Sequence, residues 1–179
     1  MRWMQGGLPL LGERTTVRWL GSTAVEMGIR EGKAPFASAT LVIFLEPRDL
    51  PWWPLSRLRG RRDTLIVRGI LRRAAALELE ALDPGSWSGR DALPRVPRDW
   101  PVRPAAASGD LAVHHSNAAA LARADALIEL ARRAGLVVQR LSVRRTEPHL
   151  QIHVSAPDVR QDARGFFEAV RAIAELALS

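Results

Sequence analysis

The chain has 179 residues, 47% hydrophobic and 25% charged, with 26 basic against 19 acidic residues and no cysteine. That composition belongs to a globular protein rather than a disordered one, and the length accommodates one ordinary domain or two small ones. A disulfide framework, a thiolate nucleophile and a thiolate metal site are excluded, and no apolar run approaches the ~20 residues that span a bilayer.

Residues 1–14, MRWMQGGLPLLGER, lack the apolar core and small-residue cleavage site of a signal peptide. The absence of cysteine fits the cytoplasm, and a cytoplasmic location is the expectation. Next come segments rich in Val, Ile, Leu, Thr and Trp, punctuated by Gly and Pro: TTVRWL (15–20), AVEMGI (24–29), SATLVIFLE (38–46), TLIVRGIL (64–71) and ALELEAL (76–82). They predict an antiparallel β part of about five short strands over residues 1–82. The run from 64 to 82 could also be partly helical, since Ala and Leu favour helix. Leu77, Leu79 and Leu82 alternate with Glu78 and Glu80, which predicts that both glutamates point to water.

Residues 83–110 carry five prolines, three glycines, Trp87 and Trp100. They read as an irregular connector that packs on something, because free linkers are poor in aromatics. From 111 onwards the pattern changes. LAVHH is a short strand, and Ser116 or Asn117 can cap a helix over 118–134 that ends at Gly135. LVVQRLSVR and HLQIHVS form a hairpin, and a last helix is predicted over 159–178. Residues 111–179 thus make a compact β-α-β-β-α unit, and the fold class is α+β.

The excess charge is local. Residues 57–73, RLRGRRDTLIVRGILRR, hold seven arginines and one aspartate, and they follow directly on a Trp pair in LEPRDLPWWPLSRLRGRR (45–62). Of the 26 basic residues 25 are arginine and one, Lys33, is lysine, a skew that codon usage alone can produce. The Trp pair is therefore the more specific signal. Trp52 and Trp53 stand between Pro51 and Pro54, which hold the loop extended before any partner arrives and so lower the ordering cost of docking. Any one tryptophan could instead cover the edge of the chain's own core, but neighbours in an extended loop diverge, and both are hard to bury in one small core.

No catalytic signature stands out. GSWSG (85–89) has Trp87 where a nucleophile elbow needs serine. The one lysine lies in EGKAPF, without the glycine spacing of a phosphate-binding loop, and tyrosine is absent. His149 and His153 lie four residues apart on one strand face, roughly 13 Å, too far to share a metal. The histidines are expected to face solvent or an interface. Neither an enzyme, a metal site nor a cofactor is expected.

Trp and Arg are enriched at binding hot spots and also at membrane–water interfaces beside anionic head groups. The leading expectation is a non-catalytic accessory or scaffold subunit. It docks on a larger protein complex, of which a membrane-embedded complex met at the cytoplasmic face of the inner membrane is one form, with an anionic membrane surface as a further contact. Its contact residues are Trp52, Trp53, Arg57, Arg59, Arg61 and Arg62, with Trp87 and Trp100 as additional ones. The alternative is RNA or DNA binding through the 57–73 arginines and stacked tryptophans, although no helix-turn-helix, zinc-finger or KH pattern accompanies them.

Overall fold

Apolar and β-branched residues at alternate positions build strands that can bury one face, and a single antiparallel sheet collects those strands here. The computed structural model of the chain describes residues 2–45, 63–106, 109–157 and 162–179. Its strands are β1 (Gly12–Trp19), β2 (Ala24–Gly32), β3 (Phe36–Phe44), β4 (Thr64–Leu71), β5 (Leu79–Leu82), β6 (Val102–Pro104), β7 (Ala112–His115), β8 (Val138–Val143) and β9 (Leu150–Ser155). The helices are α1 (Arg2–Gln5), α2 (Trp87–Ala92), α3 (Ala118–Arg133) and α4 (Ala163–Leu178). Across the sheet the order is β1-β2-β3-β4-β9-β8-β5-β7-β6. The fold is α+β, with nine antiparallel strands and four helices among the described residues.

Strands β1 to β4 follow one another as a meander, after which β4 pairs with β9 near the end of the chain. Strand β5 does not extend that meander. It lies between β8 and β7, so residues from both halves of the chain alternate across the sheet.

The long helices pack on one face. Asn117 caps α3, its Oδ1 accepting from the Ala120 N–H at 2.9 Å, and Gly135, at φ 73°, ends that helix in the left-handed region. Asp162 caps α4 by accepting from the Arg164 N–H at 3.0 Å, so this helix begins at Ala163 rather than at 159. Leu127 and Ile128 of α3 with Phe167, Val170 and Ile173 of α4 pack against Leu65, Val67, Leu141, Ile152 and Val154 of the sheet in one core. Trp3 joins it with its ring tilted against Phe166 and Phe167, at 5.7 and 6.2 Å between ring centres.

Residues 83–110 are more regular than a connector. Asp83 Oδ1 accepts from the Gly85 N–H, and Ser86 Oγ caps α2 by accepting from the Gly89 N–H at 2.9 Å. A 3₁₀ turn at Leu93–Arg95 and the edge strand β6 follow. The run from 83 to 100 lies across the second face of the sheet, where Ala92 and Val96 cover Leu82 and Trp100 closes the small cluster.

Gly89 shows how tight this cover is. A Cβ there would stand 2.0 Å from the Asp83 carbonyl oxygen, a backbone atom that cannot swing aside. Gly89→Ala should therefore destabilise the protein by about 1–3 kcal/mol in urea unfolding. Gly165→Ala, with open space around its Cβ in α4, should be neutral or slightly stabilising.

Candidate functional site

Polar side chains that strand alternation places on the second face are drawn inside by the 83–100 cover. Glu80 sits at the centre of β5, opposite Ser142 on one side and His114 on the other. It is 1% exposed, which corrects the expectation that it points to water. The reason is register, which brings Arg140, Ser142 and Arg144 alongside it from sixty residues away. Arg140 grips the carboxylate in a fork, Nε to Oε2 at 3.1 Å and Nη2 to Oε1 at 3.0 Å. Ser142 Oγ donates to Oε1 at 2.7 Å, and Arg144 Nη2 donates to the same oxygen at 3.0 Å.

A buried carboxylate needs this degree of satisfaction, since an isolated charge in that position would be strongly disfavoured. Arg144 is held from its other side by the Trp100 ring, 4.5 Å from guanidinium carbon to ring centre. Glu78 is half-buried and accepts from the Arg145 N–H at 3.2 Å. Beside the cluster opens a cavity of about 250 Å³ bordered by Glu78, Arg95, Thr146, Glu147 and Gln151.

Next to this cluster, His153 and Ser88 meet under α2. Ser88 Oγ and His153 Nδ1 are 2.5 Å apart, with Ser88 1% and His153 5% exposed. Burial, reinforced by the positive charges of Arg140 and Arg68, holds the His153 imidazole down to about 3. It is neutral at ordinary pH, and its Nε2 has no hydrogen-bond partner among the described residues. A serine beside a histidine invites comparison with a hydrolytic dyad. Here the serine lies on the buried side of α2, and among the described residues no carboxylate orients the far ring nitrogen. Glu80 is taken up by its arginines. The geometry pins α2 to the sheet and exposes no nucleophile.

The other histidines are also drawn into the structure, against the expectation that they face solvent or an interface. His149 Nδ1 accepts from the Leu71 N–H at 3.0 Å, and His115 Nδ1 lies 2.9 Å from the Asn117 carbonyl oxygen. His114 is half-buried and its pKa is lowered by burial, with Glu80 pulling the other way and His115 adding to the decrease. Among the described residues no three His, Asp or Glu side chains converge as a metal site would require.

The predicted contact residues Trp52, Trp53, Arg57, Arg59, Arg61 and Arg62 lie outside the described residues. The ends of their segment are described. Phe44 and Leu45 are 40% and 37% exposed, and Trp87, 48% exposed, stands edge-on to Phe44 at 6.1 Å. Trp87 is therefore brought to the root of the Trp/Arg segment, whereas Trp100 is half-buried in the cover.

The described arginines of the 57–73 stretch are partly in use inside the fold. Arg72 donates Nε to the Phe36 carbonyl at 3.2 Å and Nη2 to the Gly32 carbonyl at 2.9 Å, and Arg73 donates to Leu178 O at 3.3 Å. Arg68 remains exposed, opposite Gln151. The Glu80 cluster and the Ser88–His153 pair were hidden from sequence reasoning, because each forms across long separations and no local spacing marks it. No helix among the described residues is long and apolar enough to cross a membrane. No protein-family model and no curated protein matches the chain.

Proposed function

We propose that the chain is a non-catalytic accessory subunit that docks on a larger protein assembly through the 46–62 segment and the apolar surface at its root. The observation that carries this reading is the exposed edge-to-face pair of Phe44 and Trp87 beside exposed Leu45, which directly precedes in sequence the segment with the Pro-bounded Trp pair. Large aromatics left half in water are costly for a free monomer surface and are typical anchors of an interface. The arginines that follow would form the polar rim and favour an assembly at an anionic membrane face.

In this reading the 111–179 β-α-β-β-α unit is the frame, and the 1–82 part of about five strands presents the contact. Residues 83–110 join them and contribute Trp87. Nucleic-acid binding is the weaker alternative, since Arg72 and Arg73 spend donors on main-chain carbonyls of their own chain.

The test compares wild type with Trp52→Ala/Trp53→Ala and with Trp87→Ala, each checked for an unchanged circular dichroism spectrum. Capture from the native cell should retain a defined protein set with wild type and lose it with both variants. Unchanged capture by both folded variants would sink the reading. Tight oligonucleotide binding that falls steeply with salt, without a protein partner, would favour the alternative.

A further inference from the structure

We infer that the chain self-associates through β1, with two copies joined antiparallel about Val17 so that Trp19 of each enters a groove beside β1 of the other. The two edges of the sheet are treated differently. Strand β6 is three residues long, ends in Pro104 and follows Pro101, which are common ways to block edge pairing. Strand β1 is eight residues long and contains no proline, and no described residue pairs with its outer side.

The charged side chains of β1 do not guard that side either. Each is paired within its own chain: Glu13 with Lys33 at 3.6 Å, Arg14 with Glu31 at 3.1 Å, and Arg18 with Glu26 at 2.9 Å. What β1 offers outward is backbone and apolar surface. The Leu20 N–H donates to Ala24 O, so in the alternation of an antiparallel ladder the even positions bond to β2. The N–H and C=O groups of Thr15, Val17 and Trp19 therefore turn away from β2.

The side chains of these same three residues stand on the helix-bearing face, opposite Ile29, Met27 and Val25. Val17 is 47% and Trp19 58% exposed. Next to them lies a groove of about 470 Å³, roomy enough for an indole, whose lining is apolar at Leu8, Pro9, Val17 and Met27 and polar at Gln5 and Glu13.

The occupant follows from self-complementarity. A two-fold axis through the sheet requires residues of equal parity to face each other, which leaves few registers. Centring on Thr16 sets Arg14 against Arg18, two like charges. Centring on Thr15 leaves Trp19 without an opposite residue within the strand. Centring on Val17 sets Thr15 against Trp19 and Thr16 against Arg18. No like charges then meet, and a tryptophan faces a β-branched residue, a favourable cross-strand pair. In this register Trp19 of the second copy stands opposite Thr15, at the groove that Thr15 and Val17 line. The symmetry fills both grooves.

The chain has no cysteine, so an engineered one reports a single position. Val17→Cys at the two-fold would place its Cα about 5.5 Å from its mate in a hydrogen-bonded pair, with Cβ atoms about 5 Å apart, wider than a disulfide but within reach of a short bis-thiol-reactive cross-linker. With that cross-linker it should give a covalent dimer, while Val102→Cys on β6, 53% exposed in the parent, should stay monomeric. Wild type should sediment as a dimer. Val17→Pro should be a folded monomer, because the N–H it removes has no partner in β2 and proline is tolerated on such an edge. A monomeric wild type overturns the inference. So does a dimer that persists in folded Val17→Pro, or a Val17→Cys protein that cross-links no better than Val102→Cys.

Discussion

Replacing Glu80 with alanine should be among the most damaging single changes in this protein. The carboxylate is almost fully buried and is the shared partner of Arg140, Arg144 and Ser142. Its removal leaves Arg140, whose side chain is 8% exposed, with a buried charge and no counterion. Breaking one side of such a pair costs about 3–5 kcal/mol, a large part of the ~5–15 kcal/mol that holds a domain together. Urea unfolding should show the loss as a lower midpoint. The double variant Glu80→Leu/Arg140→Leu should recover much of it, because the cost comes from stranding a charge and not from losing attraction. A folded Glu80→Ala protein within about 1 kcal/mol of wild type would show that the cluster is solvated and that the burial described above is wrong. Exposed pairs such as Arg95–Asp91 and Arg164–Glu168 should be replaceable with little measurable effect.

His153 should make stability depend on pH. Its folded pKa of about 3 lies below the ordinary 6.5, so the folded state binds fewer protons than the unfolded state between those values. Stability is therefore fully present above pH 6.5 and is lost progressively as pH falls towards 3. By pH 4 this one group should remove about 3 kcal/mol. Protonation would set a third positive charge beside Arg140 and Arg68 in a buried site under α2, so α2 should loosen first. Urea unfolding at neutral and acidic pH should show the slope in wild type and a flatter one in His153→Gln. His114, lowered by burial, works in the same direction and should leave a residual slope. An equal slope in the two proteins would show that His153 is already solvated in the folded state.

What could be read locally and what could not divides along a clear physical line. Helices α3 and α4 were legible because their signals lie within a few residues of one another: a cap at Asn117, an apolar face repeating every third or fourth residue, and Gly135 at the left-handed end. The β8–β9 hairpin was legible from alternation for the same reason. Strand β6 was not, because three residues flanked by Pro101 carry no periodicity. The aromatic interest of Trp87 was legible as composition, but its place beside Phe44, more than forty residues away, was not.

Glu80 is the sharpest contrast. Alternation with Leu79 correctly put it on the face opposite the main core, and the step from there to water failed because that face has its own cover. Whether a polar face is wet depends on what the rest of the chain lays over it. Here residues 83–100 cover it, and pairing register delivers two arginines to one carboxylate. The sequence by itself determined the two long helices, the β8–β9 hairpin, the α+β class and the positions of its unusual charge and tryptophans. Only the tertiary structure decided which strands are neighbours, and hence which polar groups are buried together and which edge stays open. Those facts depend on contacts between residues far apart in the chain, and local spacing holds no record of them.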